Sequence, residues 1–286
     1  MGIDKYYRKM VMPSTKIKSL GDDSQIWVSP DGDDTNGDGT FVNPYASLTQ
    51  AMSVVTTARK IIILMPGTYA EAAAVAWSTV SGVCVISLGG AGVTSISATG
   101  TSAITVTPGV VTSTWWGLIS GVEIDHSAGA AQSGITFDNT GMTKKLLFYV
   151  DKCLASPDAE TDKSINVETH DDADNSIRIY ITGDGNQSEI GGAIYFNVNN
   201  LADRLHLENC WIIGTITTPN VAKEFRMRLY KCIVPHEAAV AGGNATQVVT
   251  AVGCYSWIDY DDITPEVYAA LDTAELTGSH SEVIVA

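Results

Sequence analysis

The sequence predicts an all-β solenoid, a single chain wound into stacked coils whose strands pair in parallel. Three observations carry this. From about residue 60 to residue 260 the chain is a monotonous series of short β-branched runs separated by Gly, Asn, Asp or Thr, with no convincing amphipathic helix between them. Composition agrees: 45% of the 286 residues are hydrophobic, only 17% are charged, and Gly, Thr, Ser and Val are abundant. A weak internal repeat supplies the third. The segments starting at Phe148, Leu205 and Met227 share the order apolar, polar, apolar, polar, polar, Cys, apolar, and Val122 to Ala128 fits with Ser in the Cys place. The starts lie 26, 57 and 22 residues apart, which predicts coils of roughly 22 to 26 residues.

Residues 1 to 24 read as a flexible arm, polar and aperiodic. Lys5, Arg8, Lys9, Lys16 and Lys18 stand there against Asp4 alone, whereas the whole chain carries −15. A basic arm thus precedes an acidic body, and that body argues against duplex nucleic acid as a partner, since such binding runs on cations displacing counterions from phosphate. The arm lacks the apolar centre of a signal peptide and no run approaches a membrane span, so the expectation is a chain made in a cytoplasm and not inserted in a membrane.

Order is expected to begin with a strand at Ile26-Trp27-Val28, stopped by the turn Ser29-Pro30-Asp31-Gly32. After an acidic, glycine-rich loop, Ser47-Leu48-Thr49-Gln50 has capping-box spacing, and Leu48, Ala51, Met52 and Val55 recur at helical intervals. A helix over 47 to 58 follows. Ile61 to Leu64 is a fully buried strand type, ended by Pro66-Gly67. The solenoid is expected to span 25 to 262. At the C-terminus Thr264-Pro265-Glu266 starts a short helix to about Leu276, and Val283 to Ala286 forms a last strand, so that 263 to 286 make a cap.

Ile26 to Asp34, Gly37 to Thr40, Asn43 to Ala51 and Ile61 to Tyr69 together resemble the opening of pectin-lyase-like right-handed parallel β-helix proteins. The resemblance implies a first strand, an acidic turn, a helix plugging the open end of the solenoid and a first coil ending in Pro-Gly-Thr-Tyr. It implies no single activity, because the superfamily holds polysaccharide lyases, glycoside hydrolases, epimerases, bacterial surface proteins and phage tailspikes or other virion proteins.

Candidate chemistry is sparse. Asp34, Asn36 and Asp38 satisfy the first half of a calcium loop, but Tyr45 stands where such a loop needs a bidentate Glu, and turn chemistry explains the same residues. Calcium is therefore the one cofactor alternative. Alignment of the coils places Asp125, Asp151, Glu208 and Tyr230 in one column, and Asp125 with Asp151 on neighbouring coils would suit a retaining carboxylate pair, against the plainer reading of solvated polar corners. Arg178, Arg204, Arg226 and Arg228 match no lyase motif, and Arg226-Met227-Arg228 alternates as outward-facing strand residues do. The acidic run Glu168 to Asp174 reads as a loop able to hold a cation, and the adjacent Trp115 and Trp116 as exposed rings for stacking on sugars or as core. Cys84, Cys153, Cys210, Cys232 and Cys254 read as buried, with Cys153, Cys210 and Cys232 in one internal column.

With no catalytic set evident, the first expectation is a non-enzymatic structural or attachment protein of a phage particle, a capsid decoration, fibre or tail-associated component. Its arm would anchor it to other virion proteins, with self-association, as in a trimer, and a surface polysaccharide as further partners. The second is a carbohydrate-active protein, a tailspike-like glycoside hydrolase or a polysaccharide lyase. A cell-surface adhesin is third.

Overall fold

A computed structural model describes residues 24–98, 100–110, 112–126, 133–138, 142, 144–157, 162–167, 176–184, 189–196, 203–218, 225–235, 240–242, 247–257, 268–270, 276–278 and 282–285. The arm at 1 to 23 and the acidic run Glu168 to Asp174 lie outside them. The chain is a right-handed parallel β-helix of three sheets. Sheet 1 has ten strands and runs from Gln25–Val28 at one end through Trp115–Ser120, Leu146–Asp151, Ile177–Thr182, Asp203–Glu208 and Phe225–Tyr230 to Glu282–Val285. Sheets 2 and 3 have nine and eight strands, and each coil contributes one strand to each sheet in turn. Pairing is parallel everywhere among the described strands except between Tyr255–Trp257 and Tyr268–Ala270.

Register in sheet 1 stacks equivalent residues coil upon coil. Ile26, Ile62, Val85, Ile119, Val150, Ile181, Leu207, Leu229 and Ala251 form one inward ladder, and every member is buried. Each rung removes an aliphatic side chain from water, worth about 1.5–3 kcal/mol apiece. A second ladder passes through Gly117, Phe148, Ile179, Leu205 and Met227. Gly117 is required by space, because a Cβ there would lie 2.8 Å from the Phe148 ring. That ring packs edge-on against Trp77 and Phe137 at 4.9 and 5.0 Å between centroids.

The corner from sheet 1 to sheet 2 is a single left-handed residue, seen at Gly121, Lys152, Asn209, Lys231 and Gly253. The amides of Gly121, Lys152, Gly183, Asn209 and Lys231 carry the backbone ladder around the bend: Lys152 N donates to Thr182 O, Asn209 N to Tyr230 O and Lys231 N to Val252 O. The next residue turns inward. Cys153, Cys210, Cys232 and Cys254 occupy that place, so the expected thiol column exists and gains a fourth member. Burial pushes the Cys153 thiol up to about 12, and hydrogen bonding with Cys210 ahead of burial does the same for Cys232. These thiols are fillers, not nucleophiles.

The N-terminal end is closed as the sequence predicts, though by a shorter helix, Leu48–Ser53 instead of 47 to 58. Ser47 caps it by accepting from the Gln50 amide, and Leu48, Ala51 and Met52 face the core. A second cap was not legible in sequence: the buried carboxylate of Glu71 accepts from the Leu48 amide at 2.7 Å and from the Thr49 hydroxyl at 2.6 Å. At the far end the predicted helix is corrected. Tyr268–Ala270 is a strand, while the final strand pairs with Gln247–Val252. Coil length is also less even than 22 to 26 residues: the step is 23 from Ile62 to Val85 and 34 from Val85 to Ile119, and along the consecutive partners Leu118, Tyr149, Tyr180, His206 and Arg228 it falls from 31 to 22. No helix among the described residues is long and apolar enough to cross a membrane.

Two stability predictions follow from buried polar groups. Replacing Glu71 by Ala leaves the first-turn donors of the capping helix without partners, and should cost about 1–3 kcal/mol in a denaturant titration; Glu71→Gln, which keeps an acceptor, should cost less. His126, at the end of Glu123–His126, is fully buried with neither ring nitrogen hydrogen-bonded, and burial lowers its pKa from 6.5 against the opposing pull of Asp162 and Asp125. Its proton is therefore taken up preferentially by the unfolded chain. The His126 contribution is intact above pH 6.5 and is lost as pH falls below it, so the melting temperature should drop on acidification, and His126→Phe should flatten that part of the profile.

Candidate functional site: the outer face of sheet 1

Alternation sends every second residue of sheet 1 outward, and parallel register gathers these residues into three rows along the solenoid. The first row reads Trp116, Leu147, Arg178, Arg204, Arg226. The second reads Leu118, Tyr149, Tyr180, His206, Arg228, and the third Ser120, Asp151, Thr182, Glu208, Tyr230. Arg226 and Arg228 are exposed, and Arg178, Arg204 and His206 are half-buried. Tyr180, Arg204, Leu205, His206, Arg226 and Arg228 line a shallow depression on this face.

The geometry of the second row is a stack. Tyr149 and Tyr180 lie face to face, 5.0 Å between centroids and 14° apart, and the His206 ring follows 6.0 Å from Tyr180. His206 Nε2 lies 3.5 Å from a Glu208 carboxylate oxygen. Burial lowers the His206 pKa, Glu208 opposes the shift and Arg228 adds to it, so the imidazole is neutral near pH 7. The first row is different in kind. Three guanidinium groups rise from neighbouring strands that are about 4.8 Å apart. Burial first, then Arg178 and Arg226, lowers the pKa of Arg204. Among the described residues no carboxylate is paired with Arg178, Arg204 or Arg228, and the Nε atoms of Arg178 and Arg204 are buried without a hydrogen-bond partner. Arg178 and Arg204 thus keep unspent donors within a like-charge row, on a chain of net charge −15.

The residues singled out in sequence fare unequally. Asp151, Glu208 and Tyr230 do share a row, but Asp125 does not. It lies in sheet 2, paired with Ser97 and Ser156, so Asp125 and Asp151 are not on neighbouring strands of one sheet. The cause is a misaligned repeat: the partner of Asp151 in the preceding coil is Ser120, from a Trp115–Ser120 strand that has no Cys pattern to align. Asp151 is nearly buried, one oxygen accepting from Ser120 and the other from Thr182. The two tryptophans divide: Trp115 is core, donating to Thr79 O, and Trp116 is on the outer face. The outward alternation of Arg226 and Arg228 stands as read.

The acidic loop is spent on its own backbone. Asp34 accepts from the Ala46 and Ser47 amides, Asp38 from that of Thr40, and Asn36 donates to Asp33 while its carbonyl accepts from Asn43. Hydrogen bonds from Asn36 hold the Asp33 carboxyl below the usual range, and the Thr40 amide does so for Asp38. No group of three or more His, Cys, Asp or Glu is gathered among the described residues. What sequence reading missed was the row itself. Arg178, Arg204 and Arg226 stand 26 and 22 residues apart, the coil spacing already in hand, and that interval was the available signal.

No family model and no curated protein matches the sequence. Among solved structures, a rhamnogalacturonan lyase aligns over 92% of this chain and 83% of its own, at 11% identity and a TM-score of 0.37. The pectate lyase Pel9A aligns over 91% and 77%, at 15% identity and 0.38. Both are named as lyases and neither as a virion protein, so neither the first expectation of a non-enzymatic phage or capsid component nor the leaning away from an enzyme finds support. At that identity and TM-score neither likeness carries an argument about this chain, and the strand pairing by itself shows what it is: a right-handed parallel β-helix.

Proposed function

We propose that this protein is a carbohydrate-active enzyme acting on an acidic polysaccharide laid along the outer face of sheet 1. The observation that carries the reading is the Arg178, Arg204, Arg226 row, flanked by Arg228 and by the Tyr149, Tyr180, His206 stack. Guanidinium groups pair with carboxylates by two parallel hydrogen bonds. The acidic remainder of the chain repels the same polymer and so confines it to this face.

The chemistry this face suits is β-elimination. A guanidinium held against a uronate carboxylate withdraws charge and acidifies the adjacent C–H. A base takes that proton, the electron pair forms a carbon–carbon double bond, and the bond to the glycosidic oxygen of the next sugar breaks, the departing oxygen taking a proton from water. Arg204 stands at the middle of the row, between Arg178 and Arg226, where it is half-buried and placed to hold the carboxylate. Hydrolysis is the less favoured route. It needs two available carboxyl groups, and both oxygens of Asp151 are already engaged.

The test is binding and turnover on an acidic and a neutral polysaccharide. Binding is expected for the acidic polymer alone, weakening steeply with added salt, and Arg204→Gln should weaken it about tenfold to a hundredfold. Arg204→Lys should keep most of the affinity and lose the ultraviolet absorbance of the unsaturated product. Equal binding of the neutral polymer, or wild-type affinity in Arg204→Gln, would sink the reading.

A further inference from the structure

Three members of the thiol column lie on successive coils. Cys210, Cys232 and Cys254 stand 22 residues apart, each turned inward just after a corner, and the corners are themselves joined, Asn209 N to Tyr230 O and Lys231 N to Val252 O. All three are buried free thiols. Paired strands are about 4.8 Å apart and a disulfide spans Cα atoms about 4.4–6.8 Å apart, so neighbours in this column stand at disulfide spacing without any rearrangement of the coils. Their sulfurs are already in contact. The Cys232 thiol hydrogen-bonds with those of Cys210 and Cys254, and the Cys232 amide donates to Cys254 Sγ at 3.5 Å. Cys153 is out of reach, because the coil of Ile177–Thr182 separates it from that of Cys210, and Cys84 is in the strand Val83–Ser87 near the other end of sheet 1.

We infer that Cys232 and Cys254 are a site of covalent modification, joined as a disulfide when the chain folds in an oxidising medium and so stapling two successive coils, with Cys210 left as a free thiol beside them. Two observations select Cys254 over Cys210 as the partner. The Cys232 amide is aimed at Cys254 Sγ, and Cys254 follows Gly253, where even a Cβ would meet nothing nearer than 3.7 Å, so the backbone there has room for the small approach that a bridge requires. Cys210 follows Asn209, a residue with a side chain held at φ 54°. The oxidant is a small disulfide such as oxidised glutathione. One cysteine thiolate attacks it, expelling a glutathione thiol and leaving a mixed disulfide; the second cysteine thiolate displaces the other glutathione, so two electrons and two protons pass from the cysteines to the two departing thiols. In the finished coil the thiols are buried and hold their protons above the usual thiol range, whereas the attacking species is the thiolate. Bridging therefore belongs to the stage before these coils close.

The test is to refold the full chain from denaturant in a glutathione redox buffer and, in parallel, under full reduction. The oxidised product should be lighter by about 2 Da, the two hydrogens lost, and should keep three alkylatable thiols of the five. Peptide mapping without reduction should recover Cys232 joined to Cys254, and the bridged chain should melt about 5–10 °C above the reduced one. Chain already folded under reduction should react far more slowly in the same buffer. Cys232→Ser should form no bridge, because Cys210 and Cys254 are two coils apart, while Cys84→Ser and Cys153→Ser should bridge as the unaltered chain does; circular dichroism of each variant separates loss of the bridge from loss of the fold. The inference is overturned if all five thiols survive oxidative refolding, if the recovered bridge joins Cys210 to Cys232 or involves Cys84 or Cys153, or if the bridged chain melts no higher than the reduced one.

Discussion

In-register parallel pairing is the constraint on which everything else in this molecule depends. Once the backbone of one coil hydrogen-bonds to the next, each side chain must tolerate its counterpart about 4.8 Å away, above and below. For aliphatic side chains this is easily met, as in the ladder from Ile26 to Ala251, where like packs on like. For a polar side chain the same rule is a test. The thiols of Cys153, Cys210, Cys232 and Cys254 pass it by each bonding the carbonyl two residues earlier, and Asp151 passes it by taking a hydroxyl from the strand on either side. Pairing also makes the ends the weak points. Glu71 and Ser47 are spent on holding a helix of only six residues across one of them. So short a helix has no stability of its own and exists because Leu48, Ala51 and Met52 are needed as a lid.

The same rule explains what could be read from the sequence and what could not. The N-terminal closure was legible because its signals are local: Pro and Gly turns, a capping box, apolar residues at helical spacing, all within residues 26 to 69. The cysteine column was legible because Cys follows the corner in three coils with the same neighbours. Alignment failed one coil earlier, where Val122 takes the Cys place but the preceding strand is Trp115–Ser120 with Gly117 in the position of Phe148. A large ring and a glycine are complementary in space and unlike in sequence. Pattern matching therefore slid to the next similar segment and moved Asp125 to the wrong sheet. The C-terminal helix failed for a related reason, since local start signals at Thr264 and Pro265 do not register that the residues after them have an edge strand, Tyr255–Trp257, to pair with.

The arginine row escaped because each Arg, taken alone, reads as an ordinary outward strand residue. Only the register makes the three a column, and a column of like charges runs against what pairing rewards. Neighbouring unit charges about 5 Å apart repel by on the order of 1 kcal/mol even at the dielectric of water, and by more where water is partly excluded. The aspartates and glutamates of this chain are numerous enough to have relieved that cost, yet among the described residues none pairs with Arg178, Arg204 or Arg228, and Glu208, on the same face, lies 3.5 Å from His206 Nε2. A linear polyanion extended along the solenoid, its charges recurring at an interval comparable with the coil, is the proposed partner that offsets this repulsion.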